Sequence, residues 1–94
     1  MARYSILIKK SAAKELEELP KKDLVKVLAR IEGLTDDPRP PGAEKLAGLE
    51  LYRVGQGSYR IVYSIEDQVL TVWVVKARTK RAFLANASAL PPDR

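Results

Sequence analysis

An α+β fold, with one sheet packed against a helical hairpin, is predicted by three observations on the sequence. Two stretches in the first third space their apolar residues at helical intervals. Three stretches in the second half alternate apolar and polar residues and are joined by short turns, as in an antiparallel meander. One more alternating stretch opens the chain. The order is therefore strand, two helices, three strands and a tail, which gathers the helices on one face of the sheet and leaves the other face partly open. With 94 residues the chain can bury one modest core, so residues 1–94 are read as a single domain whose tail, 85–94, is open to movement.

In the opening strand, "RYSILIKK", residues Tyr4, Ile6 and Ile8 share one face. Ser11 is a candidate N-cap, and "AAKELEEL" then sets Ala12, Leu16 and Leu19 along one side of a short helix. Pro20 ends that helix and can start the next. "KKDLVKVLARIEGL" spaces Leu24, Val27, Leu28, Ile31 and Leu34 as a core stripe, with Gly33 near the helix end. "TDDPRPPGAEKLAG" is expected to be irregular, because its prolines and glycines oppose regular structure. "LELYRVG", "YRIVYSI" and "VLTVWVVKA" are the three later strands, joined by turns at "QGS" and "EDQ".

Composition excludes several function classes. Without cysteine there is no disulfide framework or thiolate site, and without histidine a transition-metal site would rest on carboxylates alone. No metal or other cofactor is expected. No apolar run approaches the roughly 20 residues of a membrane-spanning helix, and the opening apolar alternation is too short for a signal peptide. The expected compartment is the cytoplasm.

The net charge of +5 is unevenly placed. Up to Glu44 nine basic residues face eight acidic ones, whereas from Lys45 to Arg81 there are seven against three. That surplus suits a polyanion, or else forms a solvated basic rim. On "YRIVYSI" the residues Tyr59, Ile61, Tyr63 and Ile65 are expected to face the helices, and Arg60, Val62 and Ser64 the open side. Arg53 alternates away from Tyr52 and Val54, so Arg53 and Arg60 can share a face, with the register left open. Lys76 and Arg78 follow at the end of the last strand, and Lys80 and Arg81 just beyond. Converging guanidinium forks match phosphate oxygens. Nearby tyrosines could stack on a base. The competing reading pairs Arg60 with an acidic side chain.

"LYRVGQGSYRIVYSIEDQVLTVWVVKARTKR", with "EKLAG" upstream, resembles the RelE branch of the RelE/ParE toxin superfamily over nearly the whole chain. The resemblance rests most on the Tyr-Arg-apolar-apolar-Tyr pattern at 59–63, the acidic turn, and a Val-rich strand running into a basic cluster. It implies a RelE-like toxin fold and a bacterial toxin neutralised by a cognate antitoxin. It further implies a ribosome-dependent endoribonuclease that cuts mRNA in the A site and so inhibits translation. By that resemblance Arg60 matches the catalytic arginine, and Lys80 or Arg81 the basic residue after the last strand. Arg53 matches a backbone-contacting position, and Lys45, Lys76 and Arg78 complete the expected RNA-binding set. The sequence departs from the family pattern at Gly55, where a lysine is usual, at Thr79, where histidine is common, and at Phe83 or Leu84, where a tyrosine is usual.

The implied reaction is metal-independent attack of a ribose 2′-OH on the adjacent phosphate. It needs a base, an acid and a stabiliser for the phosphorane, and arginine suits the last role. No residue stands out as the base, so orientation by the ribosome would carry much of the rate. Two other readings stay open. One is a non-enzymatic, ParE-like inhibitor that binds DNA gyrase. The other is a catalytically degenerate member that binds RNA and its antitoxin without cutting.

Overall fold

The computed structural model describes residues 3–79. Strand β1 (Ser5–Ile8) leads into helix α1 (Lys10–Glu17), and α2 (Lys21–Gly33) follows. A two-residue strand, β2 (Glu44–Lys45), precedes β3 (Tyr52–Gln56), β4 (Tyr59–Glu66) and β5 (Thr71–Thr79). The sheet order is β1-β5-β4-β3-β2. β1 runs parallel to β5, from Ser5 opposite Thr71 to Ile8 opposite Val74, and the other pairings are antiparallel. The α+β class and the meander are as the sequence predicts. Among the described residues, no helix is long and apolar enough to cross a membrane.

Several local expectations are corrected. Ser11 lies inside α1 and does not cap it; Lys9 takes the cap position without a side-chain cap bond. The reason is the strand before it. The amide of Lys9 bonds the Val74 carbonyl of β5, so β1 pairing holds the chain extended up to Lys9, whose own carbonyl accepts the Ala13 amide. Pro20 starts the second helix, in whose cap position it sits with its carbonyl accepting the Asp23 and Leu24 amides at 2.9 Å; the first helix already ends at Glu17. Leu28, expected in the core stripe, is 41% exposed beside the exposed Val25. The stripe centres on Val27, Ile31 and Leu34, and Leu28 falls at its margin.

The segment read as wholly irregular contributes β2. Beyond Gly42, whose φ of +93° turns the chain, no proline blocks pairing, and Glu44 and Lys45 add to the edge of β3. "LELYRVG" is a strand only from Tyr52, because Leu49 and Leu51 are taken up in a turn with Leu46. Gly57, with φ +62°, supplies the tight β3–β4 turn. The last strand starts at Thr71, after a short 3-10 turn (Asp67–Val69) that ends with Leu70 in the left-handed region.

Ala12, Leu16, Val27, Ile31 and Leu34 from the helices meet Val54, Tyr59, Ile61, Tyr63, Val72, Val74 and Ala77 from the sheet, all buried. Tyr4 and Ile6 pack against this core, but Ile8 at the sheet edge is more than a third exposed. The proline-rich loop is tied down by side chains. Tyr63 donates to the Pro38 carbonyl at 2.8 Å, and its ring stacks on Tyr52 with centroids 5.9 Å apart. Arg39 lies over the Tyr52 ring and grips Asp67 through both terminal nitrogens, at 2.9 and 3.3 Å. Tyr4 donates to the same Asp67 carboxylate at 2.7 Å.

This clamp has a pH signature. Hydrogen bonds from Arg39 and then Tyr4 hold the Asp67 carboxyl below the usual carboxylate range. A folded value below the unfolded one gives stability that is complete above about pH 4 and is lost as pH falls through the depressed value. Asp67→Asn is expected to lower the melting temperature slightly at neutral pH and to flatten its decline in acid. Melting curves of both proteins from about pH 7 to about pH 2 check this; parallel acid limbs would exclude it.

Candidate functional site

The pairing register builds a basic patch on the sheet face opposite the helices. Arg53 on β3 stands opposite Val62 on β4, which stands opposite Lys76 on β5. In the next row Gly55 is opposite Arg60, and Arg60 opposite Arg78. Residues paired in this way share a face, so Arg53, Arg60, Lys76 and Arg78 come together on three adjacent strands. A bulge between Val62 and Tyr63 shifts the register, with Val75 as the extra residue on β5. Below it the same face continues as Ser64 and Trp73, without cations.

Val62, expected on an open face, is only 2% exposed. In the register it stands between Arg53 and Lys76, where aliphatic stems of this length can cover a small apolar side chain. The patch is therefore cations around one buried valine rather than a bare sheet.

The four cations are not alike. Glu44, opposite Arg53 in the β2–β3 pairing, accepts from its Nε at 3.0 Å and its Nη2 at 2.6 Å. Arg53 thereby holds the Glu44 carboxyl below its usual range, and the charge of Arg60 adds in the same direction. Arg78 bonds through Nε to Glu15 of α1. The other Glu15 oxygen accepts the Ala77 amide at 3.0 Å, beyond the point where β1 stops pairing. One carboxylate thus closes the open strand edge and holds the arginine. Arg60 and Lys76 are both half-buried, and neither makes a hydrogen bond or ion pair among the described residues. Lys45 points to Glu50, at 3.7 Å, and lies on β2 away from the two rows. Lys80, Arg81, Phe83, Leu84 and the tail 85–94 lie outside the described residues.

The tyrosines expected to stack on bases are engaged elsewhere. Tyr59 donates to Asp23 at 2.8 Å, Tyr63 to Pro38 and Tyr4 to Asp67, while Tyr52 accepts from Arg39 Nε at 3.2 Å. Burial pushes the Tyr63 phenol up to about 12, and the Asp23 hydrogen bond raises Tyr59. Neither the Tyr59 nor the Tyr63 phenol is poised to move a proton near neutrality. The arrangement can hold phosphate oxygens with planar donors, and among the described residues it brings no imidazole or phenol to the patch.

Sequence reasoning missed Glu15 and Glu44. Glu44 was within reach, since a strand at "EK" paired to "YR" sets it opposite Arg53. Glu15 lies 63 residues from Arg78 and leaves no local signal.

Comparison with solved structures gives the class of protein that this fold defines. A RelBE2 toxin–antitoxin complex from Mycobacterium tuberculosis matches with a TM-score of 0.78 and 24% identity over 85% of this chain and 94% of that one. An archaeal RelE–RelB complex from Pyrococcus horikoshii matches with a TM-score of 0.74 and 28% identity over 83% and 96%. A mutant of the E. coli toxin RelE in the free state matches with a TM-score of 0.76 and 22% identity over 98% and 99%. The architecture is that of the RelE-type toxins. Residues 6–81 match the family described as the ParE toxin of type II toxin–antitoxin systems, parDE. The chain belongs to that family, within the RelE/ParE toxin superfamily, and is a toxin of a type II toxin–antitoxin system. Among curated proteins, none matches the sequence.

Proposed function

We propose that this toxin is a ribosome-dependent endoribonuclease that cleaves mRNA in the A site and so stops translation. The observation that carries the reading is Arg60: a guanidinium without an internal partner among the described residues, set among Arg53, Lys76 and Arg78 on one face. There it would bind the scissile phosphate and stabilise the phosphorane formed when the neighbouring 2′-OH attacks. Arg53 and Lys76 would anchor flanking phosphates, with Lys80 or Arg81 as a further phosphate contact or acid. The Glu44 carboxylate, held at a depressed pKa, is a weak base. Holding phosphate alone stabilises ground and transition states alike. The ribosome must therefore supply the in-line orientation.

The toxin acts in the cytoplasm in this reading. Its partner is a cognate antitoxin, as RelB is seen with RelE in the solved complexes. A segment that orders as it wraps the basic face would cover Arg60.

Primer extension on mRNA incubated with purified toxin, with and without translating ribosomes and in the presence of a chelator, tests the reading. Cleavage is expected at the A-site codon on ribosomes, and negligible cleavage of naked RNA. Equal cleavage in both samples would refute ribosome dependence, and none in either would favour the degenerate reading. The match to ParE toxins favours one alternative, a gyrase-binding inhibitor without enzymatic activity. Expression without antitoxin separates the two, because that alternative damages DNA before protein synthesis falls.

A further inference from the structure

The two ion pairs on the basic face differ in construction. Glu15 and Arg78 leave only 19% and 30% of their side chains exposed, and Glu15 also closes the Ala77 strand edge, so that pair is part of the frame. Glu44 sits on a two-residue edge strand with 62% of its side chain exposed, and Arg53 takes both bonds on the single oxygen Oε1. Beside Arg53 and opposite Arg60 stands Gly55, which has no side chain; among the described residues a Cβ built there would meet only the Tyr59 carbonyl, at 3.8 Å.

We propose that Glu44 is an internal stand-in for a backbone phosphate and a specificity-determining residue. It occupies the donors of Arg53 until an RNA strand, already held at Arg60, displaces it along the bare path over Gly55. The inference rests on the RNA-cleaving reading above. Glu44 presents to Arg53 an anionic oxygen acceptor, as a phosphodiester would. An exposed carboxylate–arginine pair is a weak competitor. A phosphate tethered to one already bound arrives at high effective concentration and wins; an isolated anion has no such advantage. Glu44 therefore favours a strand over a free phosphate. It also lies in the field of Arg60, so it lowers the attraction of the free protein for stray anions.

The test is binding of a short labelled single-stranded RNA to the full chain across a range of salt. Wild type, Glu44→Gln, Glu44→Gln with Arg53→Gln, and Arg60→Ala are compared, with melting curves to confirm folding. Glu44→Gln is expected to bind roughly two- to fivefold tighter. Its plot of log affinity against log salt should keep close to the wild-type slope, because the same phosphates are contacted once Glu44 is displaced. Adding Arg53→Gln should abolish the gain and flatten the slope by about 0.7, one phosphate contact fewer on a single strand. Inorganic phosphate should shift the Arg53 side-chain NMR signals in Glu44→Gln but not in wild type. Unchanged affinity in Glu44→Gln, with Arg60→Ala weakened, would overturn the role of Glu44 and leave the RNA reading standing. A gain that survives Arg53→Gln would overturn it too, as a mere effect of net charge. Binding in every variant no stronger than in Arg60→Ala would overturn both.

Discussion

Arg60→Ala is expected to abolish growth arrest while the purified variant melts within a few degrees of wild type. The two outcomes separate because Arg60 stands on the face away from the core, half-buried, and makes no hydrogen bond or ion pair among the described residues. Surface changes of that kind usually alter stability by less than about 0.5 kcal/mol. For the reaction proposed here the same residue is the positioned donor to the developing phosphorane charge, and losing one such donor costs roughly 10²–10³-fold in rate. Arg60→Lys should recover only part of the activity, since an ammonium keeps the charge but not the planar fork. Growth curves, ribosomal mRNA cleavage and melting, measured side by side, decide it. Full toxicity of Arg60→Ala would remove the residue from the mechanism, and a collapse in melting temperature would make it structural.

The largest stability effect is expected at Tyr63. Its side chain is fully buried, stacks on Tyr52 and holds the proline-rich loop through the Pro38 carbonyl. Removing a buried aromatic ring costs about 3–5 kcal/mol. In a domain of this size that corresponds to a fall of roughly 15–30 °C in melting temperature. Tyr63→Phe keeps the ring and loses only the hydroxyl, at a cost of about 1 kcal/mol. Denaturant melts of both variants measure the difference. Equal stability of Tyr63→Ala and Tyr63→Phe would show that the ring contributes little beside the hydrogen bond.

The alternation along β4 was enough to send Tyr59, Ile61 and Tyr63 toward the helices, and the short turn at Gly57 brought Arg53 and Arg60 onto one face. Those are period-two and loop-length effects, carried by neighbouring residues. Except for Glu44, which a pairing of "EK" with "YR" sets opposite Arg53, partner choice was not legible. The carboxylate on Arg78 and the acceptors of the tyrosine hydroxyls come from helices and loops whose approach no periodicity records. Alternation placed Val62 on the open face but did not show that it is buried there, because the pattern marks a face and not the exposure of a residue within it. Ser11 failed as a cap for a related reason: the parallel contact with β5 set the helix start.

That parallel contact also orders events during synthesis. β1 leaves the ribosome before the other described strands, yet its one neighbour among them in the sheet, β5, is the last of them to emerge. Such distant pairings form late, because the intervening loop must close before any contact repays its entropy. Arg53 and Arg60 are translated well before Thr71, so a nascent chain carries these arginines before the frame that aligns them exists. Lys76 and Arg78 join only when the β4–β5 pairing forms, and Glu15 finds its partner on β5 at that same stage. In this topology the four-cation face is assembled only once synthesis has passed β5.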